Sequence, residues 1–130
     1  MFGGAYFNGG GYSVADGGPI PVGSATSRYG CGVAGGGNTV RLAGSCPGTW
    51  WRVDGTVTLA ATAAGTASVS VLAGGAAVGS SSATVAAGAT VTVPVCAMVR
   101  AGCDGKDLSL ALSGASGTVQ NVSLVVTRAA

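Results

Sequence analysis

Apolar and polar residues alternate along much of this chain with a period of two. The clearest run covers residues 50–60, where Trp51 and Val53 share one face with the apolar residues at 57 and 59, while Trp50 and mostly polar residues share the other. Because successive side chains of a β-strand point to opposite faces, this pattern predicts a strand with one buried face. Residues 50–60 are therefore expected to cover a hydrophobic core.

Similar alternating or extended runs recur along the chain, separated by Gly-rich turns. No segment shows the 3.6-residue apolar period of a helix, and Gly and β-branched residues disfavour helices. We expect an all-β sandwich or barrel of about eight strands, at residues 19–22, 38–42, 50–60, 66–72, 76–85, 89–96, 108–112 and 118–127. The predicted core contains Trp51, Val53, Val57, Leu59, Val91, Val93, Leu108, Leu110, Leu124 and Val126.

A long stretch without charged residues raises the question of whether the chain crosses a membrane. No charged residue lies between Asp54 and Arg100, and residues 59–79 are long enough to span a bilayer. However, Gly, Ser and Thr interrupt this segment, and the apolar positions of residues 66–71 alternate, which is typical of a half-buried strand. We therefore expect no membrane span.

The amino-acid composition argues against most kinds of enzymatic catalysis. The chain has no His and no Glu, and its four acidic residues are all Asp, so most groups used in acid–base catalysis are missing. The net charge is only +2, and the basic residues are scattered singly along the sequence, so no nucleic-acid partner is indicated. The sequence predicts a protein that is not an enzyme and has no cofactor.

Composition also favours association between copies. Gly, Ala, Val, Ser and Thr make up 91 of the 130 residues, so the side chains available for a core are small. Buried apolar area stabilises a fold by about 25 cal/mol per Å², and a single domain of small residues buries little of it. Because the uncharged stretch also places no charge in water, we expect a homo-oligomer.

The N-terminal segment differs in composition from the rest. Residues 1–18 are rich in Gly and contain Phe2, Tyr6, Phe7 and Tyr12. Aromatic side chains carry much of the energy of protein interfaces. The segment is predicted to be an arm, either a flexible leader or an anchor onto a neighbouring subunit or a larger particle, and residues 19–130 to be the β-sandwich domain.

The four cysteines allow several arrangements. A disulfide between Cys96 and Cys103 would close a loop joining two strands, and Cys31 with Cys46 would then form the second bridge. Three pairings are possible, and four free buried cysteines remain an alternative. The cysteines form no Cys-x-x-Cys pair and there is no His, so no zinc site is expected.

The two tryptophans are adjacent and so point to opposite faces of one strand. Trp51 shares its face with the apolar residues and is expected in the core. Trp50 is expected at an interface or at a sugar-stacking site.

The order of these features resembles the jelly roll of tumour necrosis factor and of the globular heads of complement. Residues 19–22 are similar to its first extended strand, and Gly48-Thr-Trp-Trp-Arg-Val-Asp-Gly-Thr-Val resembles the strand whose aromatic residue packs inside. Residues 69–78 resemble its hairpin, with Gly74-Gly75 in place of Asn-Gly, and residues 122–126 resemble its closing strand. The resemblance implies a TNF-like jelly roll and a trimer.

The layout is also similar to small jelly-roll proteins of phages and prophages of gut Firmicutes. Those proteins combine a Gly/Tyr/Asn-rich leader, an Arg-Tyr-x-Cys-like segment (residues 28–31 here) and a Cys-containing loop (residues 100–103 here). The resemblance implies a structural protein at the virion surface, as a head fibre, a capsid decoration or a tail-tip subunit that contacts other virion proteins through its arm. The alternative is a domain at a bacterial cell or spore surface that binds protein or a host glycan.

Overall fold

A computed structural model describes the backbone of residues 3–30 and 32–129, and the side chains within these ranges except those at 28 and 29. Within them the chain forms twelve strands: β1 Gly3–Gly9, β2 Tyr12–Val14, β3 Pro19–Ile20, β4 Ser24–Gly30, β5 Val33–Gly36, β6 Thr39–Leu42, β7 Thr49–Ala61, β8 Gly65–Ala73, β9 Ala76–Val85, β10 Thr90–Ala101, β11 Lys106–Ser113 and β12 Gly117–Arg128. In this part of the chain, no helix has the length and apolarity needed to cross a membrane.

The strands form two antiparallel sheets of six strands each. The first sheet has the order β10-β7-β12-β1-β4, and β2 also pairs with β12. The second sheet has the order β5-β6-β11-β8-β9, and β3 also pairs with β11. The inward side chains of both sheets form one core, which confirms the prediction of an all-β sandwich.

The alternation in the sequence matches burial in the structure. Along β7 the burial pattern alternates from Thr49 to Val53, and Val57, Leu59 and Ala61 are again buried. Nine of the ten predicted core residues are buried. The exception, Val91, is only partly buried, because it is the second residue of β10 at an edge of the first sheet.

The N-terminal segment is part of the sandwich, so the separate arm predicted over residues 1–18 is wrong for residues 3–14. Strand β1 lies between β12 and β4, and its Phe7 is fully buried. Glycine permits this close packing: a side chain at Gly10 would place its Cβ 2.1 Å from the Gln120 carbonyl oxygen. Strand β2, which contains the predicted anchor Tyr12, pairs with β12. Phe2 lies outside the described residues.

The disulfide joins Cys46 to Cys103, with a Cα–Cα distance of 4.1 Å, so the Cys96–Cys103 pairing considered from the sequence is wrong. Cys96 lies within β10, five residues before the end of that strand, or about 16 Å of extended chain. That spacing is too long for a bridge to the turn that follows the strand. Cys96 is free and exposed, which also excludes the arrangement of four free buried cysteines. Cys31, considered from the sequence as a partner of Cys46, lies outside the described residues.

The disulfide defines one end of the sandwich. It connects the loop of residues 43–48, between β6 and β7, to the turn of residues 102–105, between β10 and β11. We call this the disulfide end, and it also includes the Gly74–Gly75 turn between β8 and β9. The turns at residues 62–64, 86–89 and 114–116 lie at the opposite end.

Candidate assembly surface

Three large apolar side chains are exposed on the outer face of the first sheet. Trp50, Met98 and Val125 are 42%, 47% and 41% exposed, on strands β7, β10 and β12. They alternate with buried neighbours in sequence, so they point away from the core. We call the outward side chains of β7, β10, β12 and β1 the first-sheet face. Exposed apolar side chains gathered on one face are typical of an interaction surface.

The strand register brings these side chains into neighbouring rows. Met98 lies opposite Arg52, and Val125 lies opposite Asp54. Trp50 is two residues before Arg52 on the same strand, so it occupies the next row towards the disulfide end. The three apolar side chains therefore surround the pair formed by Arg52 and Asp54.

The central pair carries no net charge. Arg52 Nε lies 2.6 Å from Asp54 Oδ2, with both side chains well exposed. An exposed ion pair contributes little to stability because water screens it. Its effect here is to keep the middle of the first-sheet face electrically neutral, which lowers the cost of covering this face with another protein surface.

Cys96 lies on the same face, beside the same carboxylate. A hydrogen bond with Asp54 and the negative charge of Asp54 raise the pKa of the Cys96 thiol. A raised pKa leaves less thiolate at neutral pH, and the thiolate is the reactive form. Cys96 is therefore a weakly nucleophilic part of this face.

A cluster of hydroxyl and amide groups covers the β1 side of the face. Tyr6 Oη lies 2.7 Å from Ser123 Oγ, and Asn8 Nδ2 donates to Tyr6 Oη at 2.9 Å. These hydrogen bonds, the one with Ser123 first, lower the pKa of Tyr6. Tyr6, predicted as an anchor on a separate arm, thus lies on the first-sheet face and is held by side chains of the sheet.

A second surface, which has no charged residue, lies along the last strand of the second sheet. Strand β9 is the last strand of that sheet, and Ala76, Ala77 and Val78 at its start are exposed, Val78 by 44%. Its middle packs against β10, since a Cβ at Gly79 would lie 3.2 Å from the Ala97 Cβ. We call this exposed strand the β9 edge. It lies within the stretch of sequence that has no charged residue.

The predicted site residues therefore have different outcomes. Trp51 is in the core, where its Nε1 donates to the Ala43 carbonyl at 2.9 Å, and Trp50 points outward as expected. Phe7, predicted as an anchor, belongs to the core, and Tyr12 packs partly buried against it. Among the described residues, no three His, Cys, Asp or Glu side chains are grouped to hold a metal ion.

Met98, Val125 and Val78 were not among the surface residues predicted from the sequence. The alternation along β10 could have identified Met98, because every second residue of this strand, including Thr92 and Cys96, points outward. Val125 was harder to place, because it belongs to a Val-Val pair in which either residue suits a core.

Comparison with known proteins finds likeness in structure only. No protein-family model matches the chain, and no curated protein sequence matches it.

Several solved structures share the architecture over nearly the whole chain. The structure titled Eiger TNF from S. frugiperda has a TM-score of 0.77 and 12% identity, and the match covers 99% of this chain and 93% of that one. Murine APRIL at pH 5.0 has a TM-score of 0.70 and 9% identity, covering 97% and 99%. The PRD1 vertex protein P5 has a TM-score of 0.63 and 13% identity, covering 97% and 95%. The fold is a TNF-like jelly roll, as the sequence predicted.

Proposed function

We propose that this protein is a non-enzymatic structural subunit of a bacteriophage virion, exposed at the virion surface, that assembles as a homotrimer. The first-sheet face of one copy packs against the β9 edge of the next. The subunit serves as a head fibre, a capsid decoration or a tail-tip protein.

The observation that carries the assembly is the presence of two different surfaces with exposed apolar side chains on one chain. A contact between two different patches is heterologous, and it closes into a ring when the rotation per copy fits a whole number of subunits. Trp50, Met98 and Val125 lie on one patch and Val78 on the other. The number three comes from the resemblance to trimeric jelly rolls.

The virion role has two supports. The phage-like layout of residues 28–31 and 100–103 points to it, and the PRD1 vertex protein P5 shares the fold. The Eiger and APRIL structures share the same fold, so the fold alone does not establish a virion role. The absence of His and Glu from the sequence favours a structural role over an enzymatic one.

The assembly is tested by placing a charge on the first-sheet face. In Met98→Asp, the new carboxylate lies opposite Arg52, which an isolated copy tolerates because both groups remain in water. In the ring, that carboxylate loses its water, which costs several kcal/mol. We expect Met98→Asp to sediment as a monomer of about 12 kDa.

The matched control is Thr39→Asp, which places the same charge on an exposed residue of β6, three strands away from β9 in the second sheet. This control is expected to sediment like the unchanged protein. If the two variants sediment alike, the first-sheet face is not the contact. For the location, gold-labelled antibody against the protein should decorate the surface of phage particles.

The second candidate is a domain at a bacterial cell or spore surface that binds protein or glycan. Trp50 favours it, because an exposed indole can stack on a sugar ring. Antibody that labels cells or spores and leaves the particles unlabelled would support this candidate over the virion role.

A further inference from the structure

Basic residues that are scattered in the sequence are gathered by the fold in one half of the sandwich. Arg52 is the fourth residue of β7, Arg100 is next to last in β10, and Lys106 begins β11. Antiparallel pairing brings all these strand ends to the disulfide end. Arg41 near the end of β6 and Arg128 at the end of β12 join them there, and the backbone of Arg28 lies in the same half.

The acidic residues do not balance this charge. The half of the sandwich that includes the disulfide end contains Asp54, Asp104 and Asp107. In this half, five described basic side chains therefore outnumber three carboxylates. Asp16, whose Oδ1 accepts a hydrogen bond from the Gly114 amide at 2.8 Å, is the one charged residue among the described side chains of the opposite half. The molecule therefore has a positive end and a weakly negative end.

Two of the five basic side chains form ion pairs, and a third donates a hydrogen bond to the loop of residues 43–48. Arg52 pairs with Asp54, and Arg41 pairs with Asp107 at 3.1 Å while also donating to the Asp104 carbonyl. Arg100 donates to the carbonyl of Pro47 at 3.2 Å, which positions its guanidinium but leaves its charge in place. Arg100 thus contributes positive charge at the loop of residues 43–48.

The disulfide end is also concave. Two depressions lie on either side of the Ala43–Gly44 segment. One is lined by Arg41, Asp104, Gly105 and the disulfide residue Cys103, and the other by Arg128, Ser45 and Thr49. Each depression thus combines an arginine with small residues that let a ligand approach the backbone.

The disulfide holds this end in shape. It fixes the loop of residues 43–48 to the turn of residues 102–105, and Gly44 packs so closely that a Cβ there would lie 1.9 Å from the Gly102 carbonyl oxygen. A surface fixed before binding loses less entropy when a ligand arrives.

We propose that the disulfide end binds an acidic polysaccharide. The basic groups are spread over the ends of five strands and do not converge on one point, which fits a long polymer with repeated anionic groups better than a small anion. Both residues of the disulfide are exposed, and such a bond persists in an oxidising compartment outside the cytosol. Acidic polysaccharides are abundant polyanions at cell surfaces, whereas nucleic acid is mainly inside.

Arg52 and Arg100 also point outward on the first-sheet face, whereas Arg41, Lys106 and Arg128 lie outside the proposed contact between copies. In a cyclic ring whose axis runs along the strands, every copy would present its disulfide end on the same side. Three weak sites on one side bind a polymer with a higher avidity than one site. A monomer would keep the same preference for acidic chains at lower affinity.

The test measures binding of the intact protein to three immobilised polymers of similar length: alginate, sulfated dextran and neutral dextran. We expect binding to the two acidic polymers, no binding to neutral dextran, and a loss of affinity as salt rises, because ions screen the attraction. Binding that favours neutral dextran, or that does not depend on salt, would overturn the proposal. Tighter binding to a single-stranded DNA probe than to either acidic polysaccharide would also overturn it.

Variants then locate the site. Arg41→Gln combined with Lys106→Gln, two residues away from the first-sheet face, should weaken binding to sulfated dextran on the order of tenfold. The matched control adds Ala63→Lys and Ala87→Lys to this variant, which restores the net charge in exposed turns at the opposite end. We expect no recovery of binding. Full recovery would show that only net charge matters, and would contradict a site at the disulfide end.

Discussion

Substitution of Phe7 by Ala tests whether β1 belongs to the folded domain. The Phe7 ring is fully buried, on a strand that pairs with β12 on one side and β4 on the other. Removing a buried Phe side chain costs about 3–5 kcal/mol, because apolar contacts are lost and a cavity is left. That is a large share of the roughly 5–15 kcal/mol that holds a typical domain folded.

The assay is urea unfolding of the disulfide-bonded protein at one fixed concentration. With a slope of about 2 kcal/mol per M urea, a loss of about 4 kcal/mol lowers the midpoint by about 2 M. The matched control is Tyr6→Phe, which keeps a ring on the neighbouring outward position and removes the hydroxyl bonded to Ser123 and Asn8. Loss of these partly buried hydrogen bonds should cost only about 1 kcal/mol.

The opposite result would be informative. If Phe7→Ala unfolds at the same urea concentration as the unchanged protein, β1 contributes nothing to the core. Residues 3–9 would then be a dispensable arm, and the order of strands in the first sheet would be wrong.

Two further predictions concern the disulfide end. Replacing Cys46 and Cys103 by Ser opens a link between residues 57 apart and should lower the free energy of unfolding by about 4 kcal/mol, measured by urea unfolding, and an unchanged midpoint would contradict this. Gly44→Ala should lower the melting temperature by several degrees, because its Cβ would meet the Gly102 carbonyl oxygen. The control Gly102→Ala adds a Cβ that meets nothing within 4 Å, so this variant should melt almost like the unchanged protein. Equal melting temperatures of the two variants would refute the close packing at Gly44.

Local patterns predicted the central strands correctly. Residues 50–60 alternate strictly enough to place Trp51 inside and Trp50 outside, and both were found there. The reason is physical: a strand with one buried face must alternate, so its pattern reports burial directly. Residues 108–112 were placed correctly for the same reason.

Strand β1 was missed because its composition hides its pattern. Ala5 and Phe7 alternate with Tyr6 and Asn8, but the surrounding glycines suggest a flexible segment. Two of those glycines, Gly9 and Gly10, are required by close packing against residues 23 and 120, which a local reading of the sequence does not contain. Burial of Phe7 depends on partners more than 100 residues away, on β12.

The disulfide and the positive end could not be predicted for a related reason. Cys46 and Cys103 meet because two connections between the sheets lie at the same end of the sandwich, and this depends on topology rather than on spacing. Arg52 and Arg100 lie 48 residues apart in the sequence. Only the antiparallel pairing of β7 with β10 brings them to the same end of the sandwich.

The mass of the unchanged protein in solution tests the proposed assembly most directly. Light scattering at micromolar concentration should give about 37 kDa, three times the chain mass of 12.2 kDa, with dissociation on dilution. A stable particle of about 12 kDa across that concentration range would contradict the ring, and with it the proposed contact between the first-sheet face and the β9 edge.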